Sequence, residues 1–547
     1  MSLVFETAHP LSSAVPERAD VACFMGFVAR RQGVPVPAAV LEQLDAAGWI
    51  KGPWRNSEDD DRLEKLRNLP VIIDGWTMFD GLFAWNERPV TGVPDSVSGG
   101  IAYCATYLGA AVRDFFLRGG KRAILISVGD PWPYLEASAD RASSRRDRLP
   151  LLLPDVGLEG RAPIPFDPTE PGNWRGMHHV YGLSEASVLC LPDLPDICAS
   201  SPIPSTVPPP LVPMPEGFLA CSDEEAAASI DSDLRALRAP RLDTDGYAVW
   251  QEALATARQY LARYRRDVLL VAALPLPQVP LPQAVPPDDD GSQVLAHTDM
   301  SAFLRQIGAL EHQGSQVETD KLLASAFVQL AYPWPRTASS SDLPEGLAPP
   351  DGILAGLLAT NALTRGTFRS AAGDVSQQPL RDLADAEPRP SWGLGPGSPD
   401  AELARRVCLF APMPGGWSLV SDVTTAQDEA WRFGGASRLM GTILRTARAW
   451  GEPAVLEPNG LHLWTHLRRS LEELLIGFWQ AGALGGSSAA EAFQVRCGPD
   501  TMTQNDLDAG RLIVEISVRP ALSVEQITLV LALANPGLSV PGLRSAF

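Results

Sequence analysis

The chain has 547 residues, with 45 Lys plus Arg against 65 Asp plus Glu and a formal charge of -20. At roughly 150 residues per domain, that length excludes one small module and predicts three to four domains, or fewer with large insertions, while the acidic balance argues against wrapping nucleic acid. Apolar residues at 45% exclude disorder throughout, and 50 prolines without a Gly-X-Y period exclude a collagen-like repeat.

The first residues, MSLVFETAHPLSSAVPERAD, lack a basic start followed by an apolar run, so no secretory signal is expected and residues 1–20 read as an exposed arm. DVACFMGFV follows as a buried strand. The acidic run Glu58, Asp59, Asp60 and Asp61 suits a helix start or a solvated face. From Ile101 to Leu117, Cys104, Leu108, Ala111, Val112, Phe115 and Phe116 keep three- and four-residue steps, which predicts a helix with one buried stripe, stopped by Gly119 and Gly120. AILISVG from Ala123 is short and apolar, as expected for a strand buried on both faces. Similar runs recur at Ser187–Pro192, Val268–Leu274 and Phe327–Tyr332, with a helical pattern at Tyr247–Tyr264, so a layered α/β sheet is expected.

Two stretches interrupt this rhythm as surface excursions, 137–175 and 275–292, and a Pro- and Gly-rich section at 386–400 marks an expected domain boundary. Beyond it, Gly434–Trp450 reads as a helix with Leu439, Ile443, Ala447 and Trp450 inward and Arg438, Arg445 and Arg448 on one side as a basic stripe. Trp464, Leu467, Leu471, Leu474, Leu475 and Phe478 line a second long helix that stops near Gly482. The period then changes to two in EAFQVRC and GRLIVEISVRP, and VEQITLVLAL supplies a third strand. The expected division is an arm at 1–20, an N-terminal part at 21–92, a middle α/β domain at 93–385, a linker at 386–400, a C-terminal domain at 401–523 and a C-terminal strand or arm at 524–547.

These residues carry a resemblance. LEPNGLHLW, FWQAGALGG, EAFQVRCGPDTMTQNDLDAGRLIVEI and VRPALSVEQITLVL, between Leu456 and Leu533, resemble the end of contractile tail sheath proteins. GWTMFDGLFAW, YLGAAVRDFFLRGGKRAILISVGDPW, LAYPW and PPDGILAGLLATNALTRGTFRSAAG stand upstream in the order that family uses, while 137–175 and 200–320 match weakly or not at all. The resemblance implies a multidomain α/β fold, with an inner domain whose mixed sheet is flanked by helices and an inserted outer α/β domain. It also implies a subunit that assembles with itself as stacked hexameric rings around an inner tube protein, with baseplate and cap proteins, and that contracts to drive the tube through an envelope. Assembly in the cytoplasm into a phage tail or tail-like particle, released or membrane-docked, is the matching expectation, with no direct membrane span and no nucleic acid. Arm exchange between copies is expected at Val4 and Phe5 and at Val524, Ile527, Leu529, Leu531 and Leu533, because an edge strand offers unpaired main-chain groups to a donated one. Arg438, Arg445, Arg448, Arg468 and Arg469 are the candidate tube contacts. A sheath-like cap or initiator of the same machine is the alternative.

Enzymatic readings find less support. His462 and His466 are four apart, yet Leu463 stands where a zinc protease of the H-E-x-x-H kind needs Glu. His178 and His179 are adjacent and point apart, and Cys190 and Cys198 read as small core residues. LRGGKR follows a helix and precedes a strand, the reverse of phosphate-loop order, and no G-x-S-x-G elbow supports an α/β hydrolase. No catalytic residue, metal or cofactor is expected.

Overall fold

The computed structural model describes residues 18–50, 62–90, 103–135, 141–157, 163–164, 166–199, 234, 237–278, 300, 304, 309, 323–373, 399–413, 416–454, 458–508, 511–521 and 527–533. Short apolar runs become strands β1 (Val21–Phe27), β2 (Val71–Ile73), β3 (Arg88–Pro89), β4 (Tyr103–Cys104), β5 (Arg122–Gly129), β6 (Val188–Cys190), β7 (Arg241–Leu242) and β8 (Leu269–Ala273). They continue with β9 (Leu276–Pro277), β10 (Val328–Tyr332), β11 (Cys408–Met413), β12 (Gly416–Leu419), β13 (Phe493–Cys497), β14 (Leu512–Val518) and β15 (Ile527–Leu533).

Eight strands form one mixed sheet in the order β12-β11-β10-β8-β6-β1-β5-β2. The central pairings are parallel, and antiparallel β2 and β12 finish its two edges. Every residue of β1, β8 and β10 is buried, as a parallel sheet covered on both faces requires. Helices Tyr107–Leu117 and Asp351–Thr364 pack against the sheet and against each other. Thr106 caps the first by accepting a hydrogen bond from the Gly109 N–H at 3.1 Å. The two helices touch through backbone: a Cβ at Gly352 would lie 2.3 Å from the Ala111 carbonyl oxygen, and one at Gly356 would lie 2.8 Å from that of Phe115. Helix Thr244–Tyr264 leads into β8, with Asp243 as its cap.

A second core joins helices Gly434–Ala454 and Leu461–Gln480 to the antiparallel sheet β13-β14-β15. Alternate residues of β14 are buried, matching its two-residue period.

Four expectations change. The helix expected from Ile101 begins at Tyr107, because Cys104 belongs to the short strand β4, paired with β3. The boundary expected at 386–400 does not divide the cores: β11 and β12 complete the large sheet, and the second core begins at Ala426. The N-terminal strand β1 lies between β5 and β6 in that sheet, so the parts expected as separate at 21–92 and 93–385 share one core. The acidic run 58–61, most of the arm at 1–20 and most of the 275–292 excursion lie outside the described residues, whereas the 137–175 stretch is largely described and, against the expected surface excursion, sends Leu149, Leu152, Leu153 and Val156 into the main core.

Candidate assembly surfaces

The C-terminal sheet has two outer edges. β14 pairs in antiparallel register with β13 on one side and β15 on the other, so the outer main-chain groups of β13 and β15 have no strand partner among the described residues. Ile527, Leu529, Leu531 and Leu533 stand opposite Val518, Ile516, Val514 and Leu512, and β15 thus completes its own chain's sheet. Val4, Phe5 and Val524 lie outside the described residues. On β13, Gln494 and Arg496 are exposed, and Arg496 pairs with Asp500 at 3.2 Å and Glu515 at 3.3 Å. Exposed pairs of this kind give an edge a charged rim, not much stability.

Helix Gly434–Ala454 is the shared wall of the two cores. Leu439, Met440, Ile443 and Ala447 enter the second core, while the opposite side crosses the amino ends of β1, β6, β8 and β10. Arg438 and Arg445 point there, and the expectation that they form an exposed stripe is corrected: they are 6% and 5% exposed. Arg438 meets Asp422 through two hydrogen bonds, Nη1 to Oδ1 at 2.9 Å and Nη2 to Oδ2 at 2.7 Å. Its Nε and Nη2 also donate to the carbonyls of Thr367 at 3.1 Å and Arg369 at 2.9 Å. Asp422 further accepts from Gln329 Nε2 at 2.8 Å and the Ala371 N–H at 2.7 Å. Burial alone would raise the Asp422 pKa; the charge and hydrogen bonds of Arg438 outweigh it and hold the carboxyl below its ordinary value. Arg445 donates to the Asp267 carbonyl at 2.7 Å, and half-buried Arg448 donates to the Tyr264 carbonyl at 3.3 Å and lies over the Tyr181 ring. The three arginines do share one side of the helix, as their spacing predicts, but that side faces protein.

Arg468 and Arg469 lie on the outer side of helix Leu461–Gln480, away from buried Leu463, Leu467 and Leu471. Arg468 has only a loose 3.8 Å approach to Glu472 with both side chains about half exposed, and Arg469 is exposed without an ion pair among the described residues. His462 and His466 share this surface. By contrast His178 and His179 are buried on a 3-10 turn; His179 Nδ1 lies 3.0 Å from the Gly176 carbonyl, and burial pushes its pKa down to about 3. Among the described residues no group of three or more His, Cys, Asp and Glu could hold a metal, and no helix is long and apolar enough to cross a membrane.

Sequence reading missed Asp422, whose carboxylate receives Arg438, and Asp267, whose carboxylate pairs with Arg265 and whose carbonyl accepts from Arg445. Asp267, immediately before the apolar run of β8 in Tyr264–Val268, was the available signal, because an acid at the mouth of a buried strand needs a cation. Asp422 carries no comparable mark.

No family model matches the chain, and no curated protein does either. Among solved structures, the chain is similar to one in the anti-feeding prophage baseplate in its contracted state, at 15% identity and TM-score 0.51, covering 95% of this chain and 92% of that one. It also aligns with the contracted sheath complex of an extracellular contractile injection system at 15% identity and TM-score 0.45, covering 92% and 88%. A sheath tail protein from Desulfitobacterium hafniense aligns at 16% identity and TM-score 0.30, over 54% of this chain and 63% of that one. This chain, with its eight-stranded mixed sheet flanked by helices and extended by a helix pair and a small antiparallel sheet, thus shares its fold with a chain of the anti-feeding prophage baseplate in its contracted state.

Proposed function

We propose that the chain is a structural, non-enzymatic subunit of a contractile sheath, which polymerises with copies of itself around an inner tube and shortens to drive that tube through a target envelope. The fold shared over 95% of the chain with a chain of the anti-feeding prophage baseplate in its contracted state supports this most directly; the step from fold to role is one of analogy. Baseplate and cap proteins would be the partners at the ends of such a sheath, and a phage tail or tail-like particle its setting.

The chemistry of the surfaces agrees with this role. An edge such as the outer side of β13 can accept a strand from another copy by main-chain hydrogen bonds, which persist through rigid-body movement. The donors in this reading are Val4 and Phe5 of the N-terminal arm and the segment from Val524 through Ile527, Leu529, Leu531 and Leu533, which would exchange its place beside its own β14 for the same place in another copy. A head-to-tail contact that does not close propagates as a helix and needs no template for copy number. Contraction then requires no nucleotide, provided the extended lattice is a trapped state that buries less than the contracted one. For the tube contact, Arg468 and Arg469 remain the exposed candidates.

Negative-stain microscopy of the purified full chain tests the proposal. Rings or tubes are expected, with or without a tube protein as core. Dispersed monomers at all concentrations, even beside tube protein, would refute it. A sheath-like initiator present in few copies is the second reading, favoured by a structural neighbour that comes from a baseplate; copy number per particle separates the two.

A further inference from the structure

His462 and His466 stand one turn apart on helix Leu461–Gln480. Buried Leu463 and Leu467 fix the inner side of that helix, so both imidazoles lie on its outer side, and both are exposed. Residues four apart on a helix are surface neighbours, with about 6 Å of rise between them. The polar side chains between them are engaged elsewhere. Thr465 Oγ1 donates to the Leu461 carbonyl at 2.8 Å, and Trp464 Nε1 donates to Asn459 Oδ1 at 2.7 Å. Neither imidazole has a hydrogen bond or ion pair among the described residues, so their ring nitrogens are open to a ligand. The other adjacent pair differs in both respects: His178 and His179 are buried, with His178 Nε2 3.3 Å from Asp155 and His179 Nδ1 3.0 Å from the Gly176 carbonyl.

Imidazole nitrogen is a ligand for zinc, nickel and copper, and a tetrahedral ion with bonds of about 2.1 Å needs two nitrogens about 3.4 Å apart. Two exposed histidines on successive turns of one helix face can turn their rings to that separation. We infer that His462 and His466 form a two-imidazole chelate for a divalent transition-metal ion of the zinc, nickel or copper class, with water completing the coordination sphere. Local charge selects against other ions. Arg468 and Arg469 follow on the same helix, and its amino end is positive, so a hard ion such as Mg2+ or Ca2+, which is held by oxygen ligands, is repelled. Only bonding from metal to nitrogen offsets that repulsion. Leu463 stands where a hydrolytic site of this spacing carries Glu, so no base accompanies the chelate, and its chemistry is binding. An ion held here adds positive charge to the outer side that also carries Arg468 and Arg469. The inference stands on the histidine pair and does not depend on the sheath reading.

The test uses the untagged full chain and nickel chloride in a buffer that does not bind metal, read by titration calorimetry. Wild type should bind Ni2+ saturably at a site that His466→Gln weakens roughly 100-fold, the low end of what a second tethered ligand contributes. The difference between the two chains is the readout, so weaker sites common to both cancel. His466→Gln with Arg469→His keeps two exposed histidines on the helix but places them about 10.5 Å apart along its axis, beyond the reach of one ion, and should bind as weakly as His466→Gln. These variants change exposed side chains only, and unchanged circular dichroism confirms that the helix is intact. Zn2+ should displace Ni2+, whereas Mg2+ and Ca2+ in about ten-fold excess should not. Binding should weaken on acidification, because protons compete for the same ring nitrogens. Equal Ni2+ binding by wild type and His466→Gln, or recovery of binding in the double variant, overturns the chelate, and displacement by Mg2+ or indifference to pH overturns imidazole as its ligand.

Discussion

Arg438→Met distinguishes a buried seam from a surface grip. In the native chain, Arg438 and Asp422 have side chains only 4% and 0% exposed and share two short hydrogen bonds of 2.7 and 2.9 Å. Removing the guanidinium leaves the Asp422 carboxylate buried with Gln329 and the Ala371 N–H as donors, and leaves the Thr367 and Arg369 carbonyls short of one donor each. Breaking a buried pair from one side costs about 3–5 kcal/mol, which is the expected loss at pH 7. Asp422 has a folded pKa below its unfolded value, so the stability it contributes is present above the unfolded pKa, near 4, and is lost as pH falls through the folded one. The difference between wild type and variant should therefore shrink on acidification from pH 7. Urea unfolding followed by circular dichroism and tryptophan fluorescence reads it, with unchanged slope as the check on two-state behaviour. Arg438→Met with Asp422→Leu should recover part of the loss, because no lone charge remains. A single variant within about 0.5 kcal/mol of wild type, the range of an ordinary surface change, would refute the buried seam. Charge reversal at Arg438 and Arg445 is accordingly expected to disrupt folding, not to release a tube from an intact sheath.

Asp193, Asp351 and Asp114 are buried, and burial raises their pKa values to about 7, 7 and 6, above the ordinary 3.8; their stabilising contribution is complete below pH ~4 and is lost as pH rises through those values, so Asp351→Asn should flatten the fall in urea midpoint between pH 5 and 7, and an unchanged profile would contradict this. His179 acts in the opposite sense, losing stability as pH falls below its unfolded value towards about 3, so the wild-type minus variant difference is the quantity to compare. Gly356→Val would place its Cβ 2.7 Å from Arg118 Cβ and 2.8 Å from the Phe115 carbonyl oxygen, and should cost about 1–3 kcal/mol or more in the same assay by overpacking. Arg468→Glu with Arg469→Glu should leave the urea midpoint unchanged and weaken tube cosedimentation at low salt; undiminished cosedimentation would exclude this helix as the contact. The six described cysteines are buried, and burial pushes the thiols of Cys104 and Cys497 up to about 11, so none should react quickly with a thiol reagent at pH 8 until urea is added.

Much of the fold was legible because its elements obey simple periods. VLLVAAL and FVQLAY are short, apolar and flanked by turns, and became β8 and β10; the two-residue alternation of GRLIVEISV became the half-buried β14. Periodicity reports which residues share a side, and it correctly grouped Arg438, Arg445 and Arg448. It does not report what that side meets. Asp422 is 16 residues from Arg438 and Asp267 is 178 from Arg445, and no local pattern links positions brought together by sheet closure. A long cationic side chain costs little in water and much when buried, so the same spacing suits either a solvated stripe or an ionic seam. The sequence by itself determined the strands, the helices and their apolar faces, since these follow from backbone geometry and side-chain alternation. Only the tertiary structure decided that the 386–400 boundary lies within one sheet's connectivity and that the basic side of Gly434–Ala454 is internal, because both depend on which distant strands finish the sheet and cover that helix.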